Sequence, residues 1–410
     1  MSVMVKKFGG SSVANIDRIE FIADKIVNFY KQHKQLIIVV SAMQGETDKL
    51  ENLAYKITPN PDPREMDALI ATGEQVTISL LTIALIKRGC KARSYTGLQL
   101  GLYTDNVYNN AKIKHIDLNK INQDLENGVI AVVAGFQGMD QEANITTLGR
   151  GGSDTTAVAL AAVLKAKECY IYTDVDGVYT ADPNIEPNAK KLDSIDFSEM
   201  LELSGLGAKV MQIKAVAIGS YYNVPIRVLS SFNTHNNSQD NKGTLIKQQT
   251  NNLDYKHLIK IAVMREQTKI IIKNLEYYNN LIILNKLAEL GLELDMLSNN
   301  HNDLSFVISN KYLSQFLNQG LKQGQDSLVK QHDIQFLPIA KLSLVGFGIG
   351  SKLKLINQIY NSLYINNIII KQAVTTETKV SVLLNEKDLE LAIKILHKTL
   401  VVAENIDISY

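Results

Sequence analysis

The sequence is poor in cysteine and proline and has no tryptophan, with two, seven and zero residues in 410. The two cysteines, Cys90 and Cys169, lie far apart and have neither a metal-ligand nor a redox spacing, which favours a reducing compartment. An excess of one charge is also lacking, because the formal net charge is +1. Such a balance leaves no electrostatic footprint for nucleic acid or a membrane surface, and we expect neither partner.

Long apolar runs are absent as well. The first residues, MSVMVKKFGG, contain no signal-peptide core, and no stretch approaches the roughly 18 continuous apolar residues of a membrane span. The seven histidines are scattered without ligand spacing, so we predict no metal site built by the protein alone. With 45% hydrophobic and 21% charged residues, the composition is that of an ordinary globular protein, which we expect in the cytoplasm.

The length predicts two or three domains. Up to about residue 245, short β-branched runs alternate with helical periodicity, which predicts an α/β fold with a largely parallel sheet. The runs are LIIVVSA (36–42), VIAVVAGF (129–136), ECYIYTDV (168–175) and VPIRVLSS (224–231). One amphipathic helix is predicted with Asn15 as its N-cap. Its apolar face consists of Ile16, Ile19, Ile22, Ile26 and Phe29.

A polar segment, SFNTHNNSQDNKGTLIKQQTNNLD, separates this half from the remainder. We predict a first domain at 1–245 and a linker at 246–257. From Leu258 the order becomes strand, helix, strand, strand, helix, strand, and from Lys341 it begins again; SFVIS at Ser305 and SVLLN at Ser381 are equivalent, 76 residues apart. This repeat predicts two βαββαβ modules, at 258–337 and 338–399, whose exposed edges favour pairing.

The stretch KKFGGSSVA places Lys7 after a short strand and before two glycines and two hydroxyls. Lys7 can reach phosphate oxygens, while Gly9, Gly10 and Ser11 supply backbone N–H and hydroxyl donors at close range. The order differs from that of a Walker loop. A plain strand-to-helix turn is the alternative.

Two further stretches place polar residues near strand ends or within apolar helices. In VVSAMQGETDKL, Ser41 ends a strand, where open α/β sheets bind ligands, and Thr47 follows it; simple helix capping is the alternative. In MDALIATGEQVTISLL, Glu74 interrupts small and apolar residues. A buried carboxylate needs a cationic partner, such as a substrate ammonium group, or its pKa rises. An exposed glutamate at a helix turn is the alternative.

The stretch TLGRGGSDTTAVALAA combines glycines, one arginine and one aspartate ahead of an alanine-rich helix. Glycines let a ligand approach the backbone, and Arg150 offers a planar fork suited to a carboxylate. Ser153 and Asp154 lie at the helix start, where N-capping is the alternative. An aspartate beside an anion site is reasonable if it holds a metal ion or orients a lysine such as Lys7.

The stretch IYTDVDGVYTADPN forms an acidic, turn-rich loop after a strand. It lacks the full spacing of a calcium loop, so a loop at the edge of a nucleotide site fits better. GLGAKVMQ places Lys209 near a helix start, where a cation is unfavourable unless an anion is nearby. GFGIGSKLK, from Gly346, has a displaced last glycine and no acidic residue about 20 positions on, so we interpret it as an ordinary βα turn.

Taken together, KFGGSSV, VVSAM…TDKL, ATGEQV, GFQG…TTLGRGGSDTTA, YTDVDGVYTADP and GAKV resemble the aspartate kinase family in order and spacing. The resemblance covers essentially the whole chain. It implies an amino-acid kinase fold, an αβα sandwich with a largely parallel central sheet, followed by two α+β ferredoxin-like ACT domains. In this family the second module can be inserted in the first, so residues 400–410 are candidates to complete the first ACT sheet.

The resemblance implies that MgATP phosphorylates the side-chain carboxylate of L-aspartate to 4-phospho-L-aspartate, the first step toward lysine, threonine, methionine and diaminopimelate. Lys7 and Asp154 match the catalytic pair. The positions that match aspartate-binding residues are Ser41, Thr47, Glu74, Arg150 and Ser153. The positions that match ATP-binding residues are Lys7, Gly9, Gly10, Ser11, Thr173, Asp174, Asp176, Tyr179 and Lys209.

The resemblance also implies a homodimer or higher homo-oligomer through the ACT domains, with L-lysine, L-threonine or both as effectors. The matching effector positions are Asp295, Met296 and Asn300. The chain departs from the family at Asn184, where an arginine is usual, at Gln44 to Glu46, which replace Gly-Asp-Thr, and at EYYNN, which replaces an Asp-x-Pro-Gly turn. The alternatives are an ACT tail that only dimerises and a catalytically weak amino-acid-sensing protein.

Overall fold

The computed structural model describes residues 3–208, 210–232, 242–248, 258–273, 277–300, 302–320, 333–346 and 348–402. The chain forms two compact units. The described residues of the first unit extend to Val178, from Lys191 to Gly205, from 210 to 232 and from 242 to 248. The second unit comprises Tyr179–Lys190, Leu206–Ala208 and the described residues from 258 onward.

The described part of the first unit contains strands and helices in alternation. Its strands are β1 (Met4–Phe8), β2 (Leu36–Val40), β3 (Ala92–Tyr95), β4 (Leu102–Thr104), β5 (Ile113–Ile116), β6 (Ile130–Ala134), β7 (Gln137–Met139), β8 (Ile145–Thr147), β9 (Cys169–Thr173), β10 (Ser194–Asp196), β11 (Ile226–Ser230) and β12 (Thr244–Lys247). Its helices are α1 (Ile16–Gln32), α2 (Glu46–Ile57), α3 (Pro63–Ile70), α4 (Thr72–Lys87), α5 (Gly97–Leu100), α6 (Asn119–Glu126), α7 (Gly152–Val163), α8 (Phe197–Gly205) and α9 (Ile213–Tyr221).

The main sheet of this unit has the order β10-β12-β11-β9-β1-β2-β6-β3. Its pairs are parallel except β11 with β12, which confirms the predicted, largely parallel sheet. Every residue of β2 and of β6 is buried, as expected for central strands covered on both faces. A smaller sheet of order β5-β4-β7-β8 lies in the same unit and ends at Thr147, just before the glycine-rich stretch.

Helix α1 follows the predicted pattern closely. The side chain of Asn15 accepts a hydrogen bond from the backbone N–H of Arg18, so the predicted N-cap is confirmed. Ile19, Ile22 and Ile26 are buried in the core of the unit. Ile16 was expected on the same face but is exposed, because it is the first helical residue and lies beyond the edge of the core.

Helices α3 and α4 together form a 25-residue stretch, Pro63–Lys87, that is long and apolar enough to cross a membrane by length and composition. More than half of its most apolar window is buried inside the unit. Leu81 and Leu85 pack in the core, and two carboxylates of the stretch, Asp67 and Glu74, are buried as well. The pair therefore has the burial of core helices.

The second unit is built on one antiparallel sheet. Its strands are β13 (Lys260–Lys273), β14 (Asp295–Asn300), β15 (Asp303–Ser309), β16 (Asp333–Val345), β17 (Gln372–Thr376) and β18 (Lys379–Leu384). Its helices are α10 (Tyr277–Glu289), α11 (Leu313–Gln315), α12 (Leu353–Ile365) and α13 (Leu389–Leu396). The strand order is β14-β15-β13-β16-β18-β17, which places the equivalent strands β15 and β18 on opposite sides of a central pair. This symmetry agrees with the predicted repeat.

The boundary between the two predicted ACT modules does not interrupt the chain in the structure. Strand β16 runs unbroken from Asp333 to Val345 and pairs with almost the whole of β13. The register shifts between Met264 and Gln267, which separates the two halves of β13. The modules therefore share one sheet. Residues 400–410 were predicted to complete the sheet of the first ACT module. They are helical up to Val402, and residues 403–410 lie outside the described residues.

Two features differ from the predicted first domain of 1–245. Strand β12 continues to Lys247, so the sheet extends past the predicted end. Residues Tyr179–Lys190 belong to the second unit. The backbone N–H of Ile261 donates to the carbonyl of Thr180 at 2.7 Å, and Ala181 is buried in that unit's core. Because of these contacts, the segment belongs to the second unit although residues of the first unit precede and follow it in the sequence.

Candidate active site

The carboxyl ends of adjacent parallel strands bring several predicted site residues to one edge of the main sheet. Lys7, near the end of β1, is opposite Val39 of β2 and Ile171 of β9. Ser41 directly follows β2, and its backbone N–H donates to the carbonyl of Phe8 at 3.2 Å. Thr173 is the last residue of β9. Open α/β sheets bind their ligands at this edge.

A buried ion pair joins the first strand to the glycine-rich stretch. The Nζ atom of Lys7 lies 2.6 Å from Oδ1 of Asp154, and both side chains are about 10% exposed. Asp154 is in the first turn of α7, whose N-cap is Gly151. Neither Ser153 nor Asp154 caps this helix, so the N-capping alternative is wrong. Of the two uses considered for Asp154, the geometry favours orientation of Lys7.

Two glycines make this arrangement possible. A Cβ atom on Gly9 would lie 3.3 Å from Nζ of Lys7, so a side chain there would crowd the ammonium group. Gly151 has φ +68°, and a Cβ atom on it would lie 1.7 Å from the side chain of Gln212. The loop can therefore turn into α7 only with glycine at position 151.

Glu74 lies in the first turn of α4 and is buried, so the alternative of an exposed glutamate is wrong. Its Oε1 atom accepts a hydrogen bond from the backbone N–H of Ala42 at 2.9 Å. Its Oε2 atom has no hydrogen-bond partner among the described residues. Burial raises the pKa of Glu74 to about 7, while Lys7 acts in the opposite direction. This carboxylate is suited to a cationic ligand.

The remaining residues predicted for aspartate have different environments. Arg150 is exposed in the loop between β8 and α7, where its guanidinium group is accessible. Ser153 is buried one position before Asp154. Thr47 is the second residue of α2, which begins after Gly45, itself at φ +79°. The substituted residues Gln44 to Glu46 therefore form the turn into α2.

The residues predicted for the nucleotide are divided by the fold. The hydroxyl of Thr173 donates to Asp174 at 2.9 Å, and Asp176 pairs with Lys191 at 3.2 Å, all within the first unit. Tyr179 belongs to the second unit. Asn184, also in the second unit, donates from its backbone and side chain to Asp182. Lys209 lies outside the described residues.

The predicted effector residues lie on the outer strand β14 of the second unit. The carboxylate of Asp295 forms an ion pair with Lys341, whose side chain is only 5% exposed, and accepts from the backbone N–H of Met296 at 2.8 Å. Met296 has φ +46°. Asn300, at the other end of the strand, is exposed. Asp295 therefore contacts a buried lysine directly.

Among the buried carboxylates of the first unit that sequence reasoning missed, Asp67 on α3 has the lowest exposure, 0%. Its signal was the one used for Glu74, an acidic residue within an apolar run, in EMDALI. Among the described residues, no group of three or more His, Cys, Asp or Glu side chains could hold a metal ion.

Comparison with known proteins agrees with this geometry. The model of the amino acid kinase family matches residues 2–230. A protein of Pseudomonas aeruginosa named aspartokinase is 45% identical over 407 residues, covering 97% of each chain. This chain belongs to the aspartokinase family. The resemblance predicted from the motifs is confirmed.

Solved structures of aspartokinases show the shared fold. Aspartokinase III of E. coli in complex with aspartate and ADP, described as the R-state, aligns with a TM-score of 0.75 at 22% identity, covering 97% of this chain and 100% of that one. The same enzyme with lysine and aspartate, described as the T-state, gives a TM-score of 0.74 at 22% identity, covering 97% of this chain and 99% of that one. The predicted fold class, a kinase fold followed by α+β regulatory modules, is confirmed.

Proposed function

We propose that this chain is an aspartate kinase, which transfers the γ-phosphoryl group of ATP to the side-chain carboxylate of L-aspartate. The observation that carries the proposal is the buried Lys7–Asp154 pair at the ligand-binding edge of the sheet, close to the half-paired carboxylate of Glu74. The aspartokinase of Pseudomonas aeruginosa supports it through 45% identity over nearly the whole chain.

The chemistry needs no general base. The side-chain carboxyl of aspartate has a pKa of about 3.9, so at neutral pH it is already the nucleophile. One of its oxygens forms a bond to the γ-phosphorus as the bond between that phosphorus and the β,γ-bridging oxygen breaks, and ADP leaves. Catalysis then depends on bringing two anions together and aligning the attacking oxygen. Lys7 supplies positive charge where charge develops on the transferred group.

Opposite charges in the site match the substrate. Glu74 takes the ammonium group of aspartate, because its buried Oε2 atom has no hydrogen bond from the described part of the chain and a cation would hold the carboxyl in its ionised form. Arg150 takes a carboxylate of the substrate with its planar fork. Asp154 holds the ammonium group of Lys7 in place. Ser41, Thr47 and Ser153 complete the aspartate site as polar neighbours.

Mg²⁺ belongs to this proposal as the ion that accompanies ATP. Mg²⁺ usually keeps several waters and binds one or two carboxylates together with substrate phosphates, so it needs no cage of protein ligands. The lack of a three-residue acidic cluster among the described residues fits such an ion. When bound with ATP it screens the phosphate charge. Asp154 already balances Lys7, so we assign the ion mainly to the phosphates.

The test is ATP-dependent acyl-phosphate formation, trapped as the hydroxamate, with L-aspartate, L-glutamate and N-acetyl-L-glutamate as parallel substrates. Product with aspartate alone supports the proposal. Product with another acid moves the assignment to that substrate. No product from any of the three, with ATP still bound, leaves the amino-acid-sensing alternative.

We also propose feedback regulation by L-lysine, L-threonine or both through the second unit, in a homodimer or higher homo-oligomer. Support comes from the exposed edge strands β14 and β17, which can pair with another copy. Asp295, Met296 and Asn300 remain the proposed effector contacts, although Asp295 already pairs with Lys341. A dose series of each amino acid, with sedimentation to measure the oligomer, separates regulation from simple dimerisation.

The compartment and the domain limits stay proposals too. Two unpaired cysteines, one of them buried, fit a reducing cytoplasm. For the first domain we retain 1–245 as a guide, with β12 extending it to Lys247. Limited proteolysis followed by mass measurement of the fragments tests the 246–257 linker directly.

A further inference from the structure

Asp67 is a carboxylate with 0% exposure that none of the proposed catalytic steps uses. It lies on α3, seven residues before Glu74 on α4. An ionised carboxylate in a protein interior is costly unless hydrogen bonds satisfy both of its oxygens. The partners of Asp67 therefore indicate why an acidic residue is buried here.

Its hydrogen-bond partners come from two segments, the loop at Asn109 and the end of strand β8 at Thr147. The backbone N–H of Thr147 donates to Oδ2 at 2.7 Å, and the hydroxyl of the same residue donates to Oδ1 at 2.8 Å. The backbone N–H of Asn109 donates to both oxygens at 3.0 Å. All of these groups are donors, so only a carboxylate with both oxygens accepting satisfies them.

The two segments are also held against each other. The backbone N–H of Ala111 donates to the carbonyl of Thr147 at 2.9 Å. Gly149 has φ +76°, and a Cβ atom on it would lie 2.8 Å from the carbonyl oxygen of Asn109. The chain therefore leaves strand β8 at Thr147, which Asp67 holds in place, and the contact of Gly149 with Asn109 restricts the path of the chain toward Arg150.

Beyond this point the loop is closed by short backbone hydrogen bonds, from the N–H of Leu148 to the carbonyl of Phe136 at 2.8 Å and from the N–H of Gly152 to the carbonyl of Gly149 at 2.9 Å. Gly149 and Gly151 both have positive φ, and glycines widen the range of backbone conformations open to a free loop. Lys214 donates to the carbonyl of Leu148 at 2.8 Å, a second anchor near the same point. Arg150 is exposed one residue after Gly149. Its position is thus set from one side by the anchors at Thr147 and Leu148 and from the other by the start of α7.

We propose that Asp67 is a positioning residue that fixes the Arg150 loop relative to Glu74 and so sets the affinity for aspartate. The inference rests on the proposed function, in which Arg150 and Glu74 hold opposite charges of the same substrate. Asp67 acts through the Thr147 anchor and does not touch the substrate. Its loss weakens aspartate binding while the edge of the sheet used by ATP keeps its geometry.

The test compares Asp67→Asn with wild type by calorimetric titration of L-aspartate and by kinetics with each substrate varied in turn. Asparagine keeps the shape but turns an N–H₂ group toward at least one donor, which costs a buried hydrogen bond and leaves its partner unsatisfied. We expect the Kd and KM for aspartate to rise about tenfold or more, with the KM for ATP changing less than about twofold.

Asp140→Asn is the matched control, because it removes another buried acceptor of backbone N–H groups in the same unit. Asp140 accepts from the backbone N–H groups of Glu142 and Asn144 at 2.9 Å, at the turn between β7 and β8. It precedes β8, whereas Arg150 follows β8, and it also accepts a hydrogen bond from the hydroxyl of Tyr108 at 3.3 Å. We expect Asp140→Asn to lower the thermal midpoint without raising the Kd for aspartate.

A second variant, Thr147→Val, keeps the test decisive if Asp67→Asn does not fold. It removes only the hydroxyl donor, and we expect a rise of about threefold in the Kd for aspartate. Equal loss of affinity for both substrates, or the same result in Asp140→Asn, overturns the positioning role, as does an unchanged Kd in Thr147→Val. Wild-type binding of aspartate without hydroxamate refutes the proposed kinase while the Kd comparison still decides the role of Asp67.

Discussion

Lys7 of strand β1 and Asp154 of helix α7 form a buried ion pair, with 2.6 Å between Nζ and Oδ1. Removing one partner of such a pair leaves the other uncompensated. Each of the two residues therefore has a structural role, which is to balance the buried charge of the other. The catalytic value of the pair is separable from its structural value by experiment.

Replacing Lys7 with alanine is expected to lower kcat far more than it raises either KM. The positive charge matters most when the phosphoryl group is in transit, so the loss falls on the transition state. We expect a fall in kcat of about 10²- to 10³-fold, the size seen when one electrostatic donor is removed from an active site. Steady-state kinetics with the hydroxamate assay measure this directly.

The adjacent residue provides a control for Lys7→Ala. Consecutive strand residues face opposite sides of the sheet, and Lys6 contacts the rings of Phe29 and Tyr170. Lys6→Met should keep kcat within about twofold, because methionine fills similar space and the charge lies away from the site. Unchanged kcat with a raised KM in Lys7→Ala contradicts the proposed role of Lys7.

The pH dependence of aspartate use should report the ionisation of Glu74. Its pKa in the free protein is raised to about 7, so below that pH the carboxyl is largely neutral and cannot balance the substrate ammonium. We expect kcat/KM for aspartate to fall as the pH drops from about 8 to 6. The profile is measured at saturating ATP.

Glu74→Gln isolates this effect. The amide keeps the size of the side chain but carries no charge, so kcat/KM for aspartate should be lower by about 10- to 100-fold at pH 8 and nearly independent of pH between 6 and 8. The wild-type profile for ATP at saturating aspartate serves as the comparison. An inflection that persists in Glu74→Gln would assign the titration to another group.

Arg150→Ala is expected to impair aspartate use selectively. In the proposed binding mode the exposed guanidinium group pairs with a substrate carboxylate, and losing this charged hydrogen-bonded partner should raise KM for aspartate by about tenfold or more. Arg150→Lys keeps the charge but loses the planar guanidinium fork, so its KM for aspartate should lie between those of wild type and Arg150→Ala. Arg64→Ala removes another exposed arginine of the same unit, at the start of α3, and should have no effect. An aspartate titration that Arg150→Ala leaves unchanged refutes the assignment.

The sequence predicted the parts of this site that local pattern determines. Lys7, Glu74 and Asp154 each stood out as a charge beside glycines or within an apolar run, and the parallel sheet followed from the β-branched runs. Asp67 had the same signal and was missed, because its partners at Asn109 and Thr147 are 42 and 80 positions away. Long-range backbone donors leave no trace in the residues around a carboxylate.

Other differences have similar causes. Nothing in the sequence marks Asp333–Val345 as a single strand, because the apolar pattern is the same whether one strand or two cross the module boundary. Tyr179–Lys190 follows the acidic loop in sequence but packs in the second unit through Ala181 and the carbonyl of Thr180. Tertiary packing determines both the length of this strand and the unit to which Tyr179–Lys190 belongs. The periodicity of apolar residues predicts single helices and strands but not the partners against which they pack.

Lys6 is expected to make the free energy of unfolding rise with pH above about pH 7. Burial among aromatic rings lowers its pKa to about 7, with Glu168 acting in the opposite direction, and its Nζ atom donates to the hydroxyl of Tyr172 at 3.2 Å. Between pH 7 and about 10 the native lysine is neutral while the unfolded lysine is still protonated. Unfolding then takes up a proton, so this residue's contribution to the free energy of unfolding rises with pH.

The comparison of wild type with Lys6→Met separates this contribution from other titrating groups. Below pH 7, Lys6 is charged in both the native and the unfolded protein. Burying the charge then costs the native state its full desolvation energy, so Lys6→Met should be more stable than wild type. As the pH rises from 7 to 9.5, the thermal midpoint of wild type should gain on that of the variant by roughly 5 °C, as scanning calorimetry of both proteins can measure. A constant difference across this range would mean that Lys6 stays protonated in the native state and that the aromatic rings stabilise its charge.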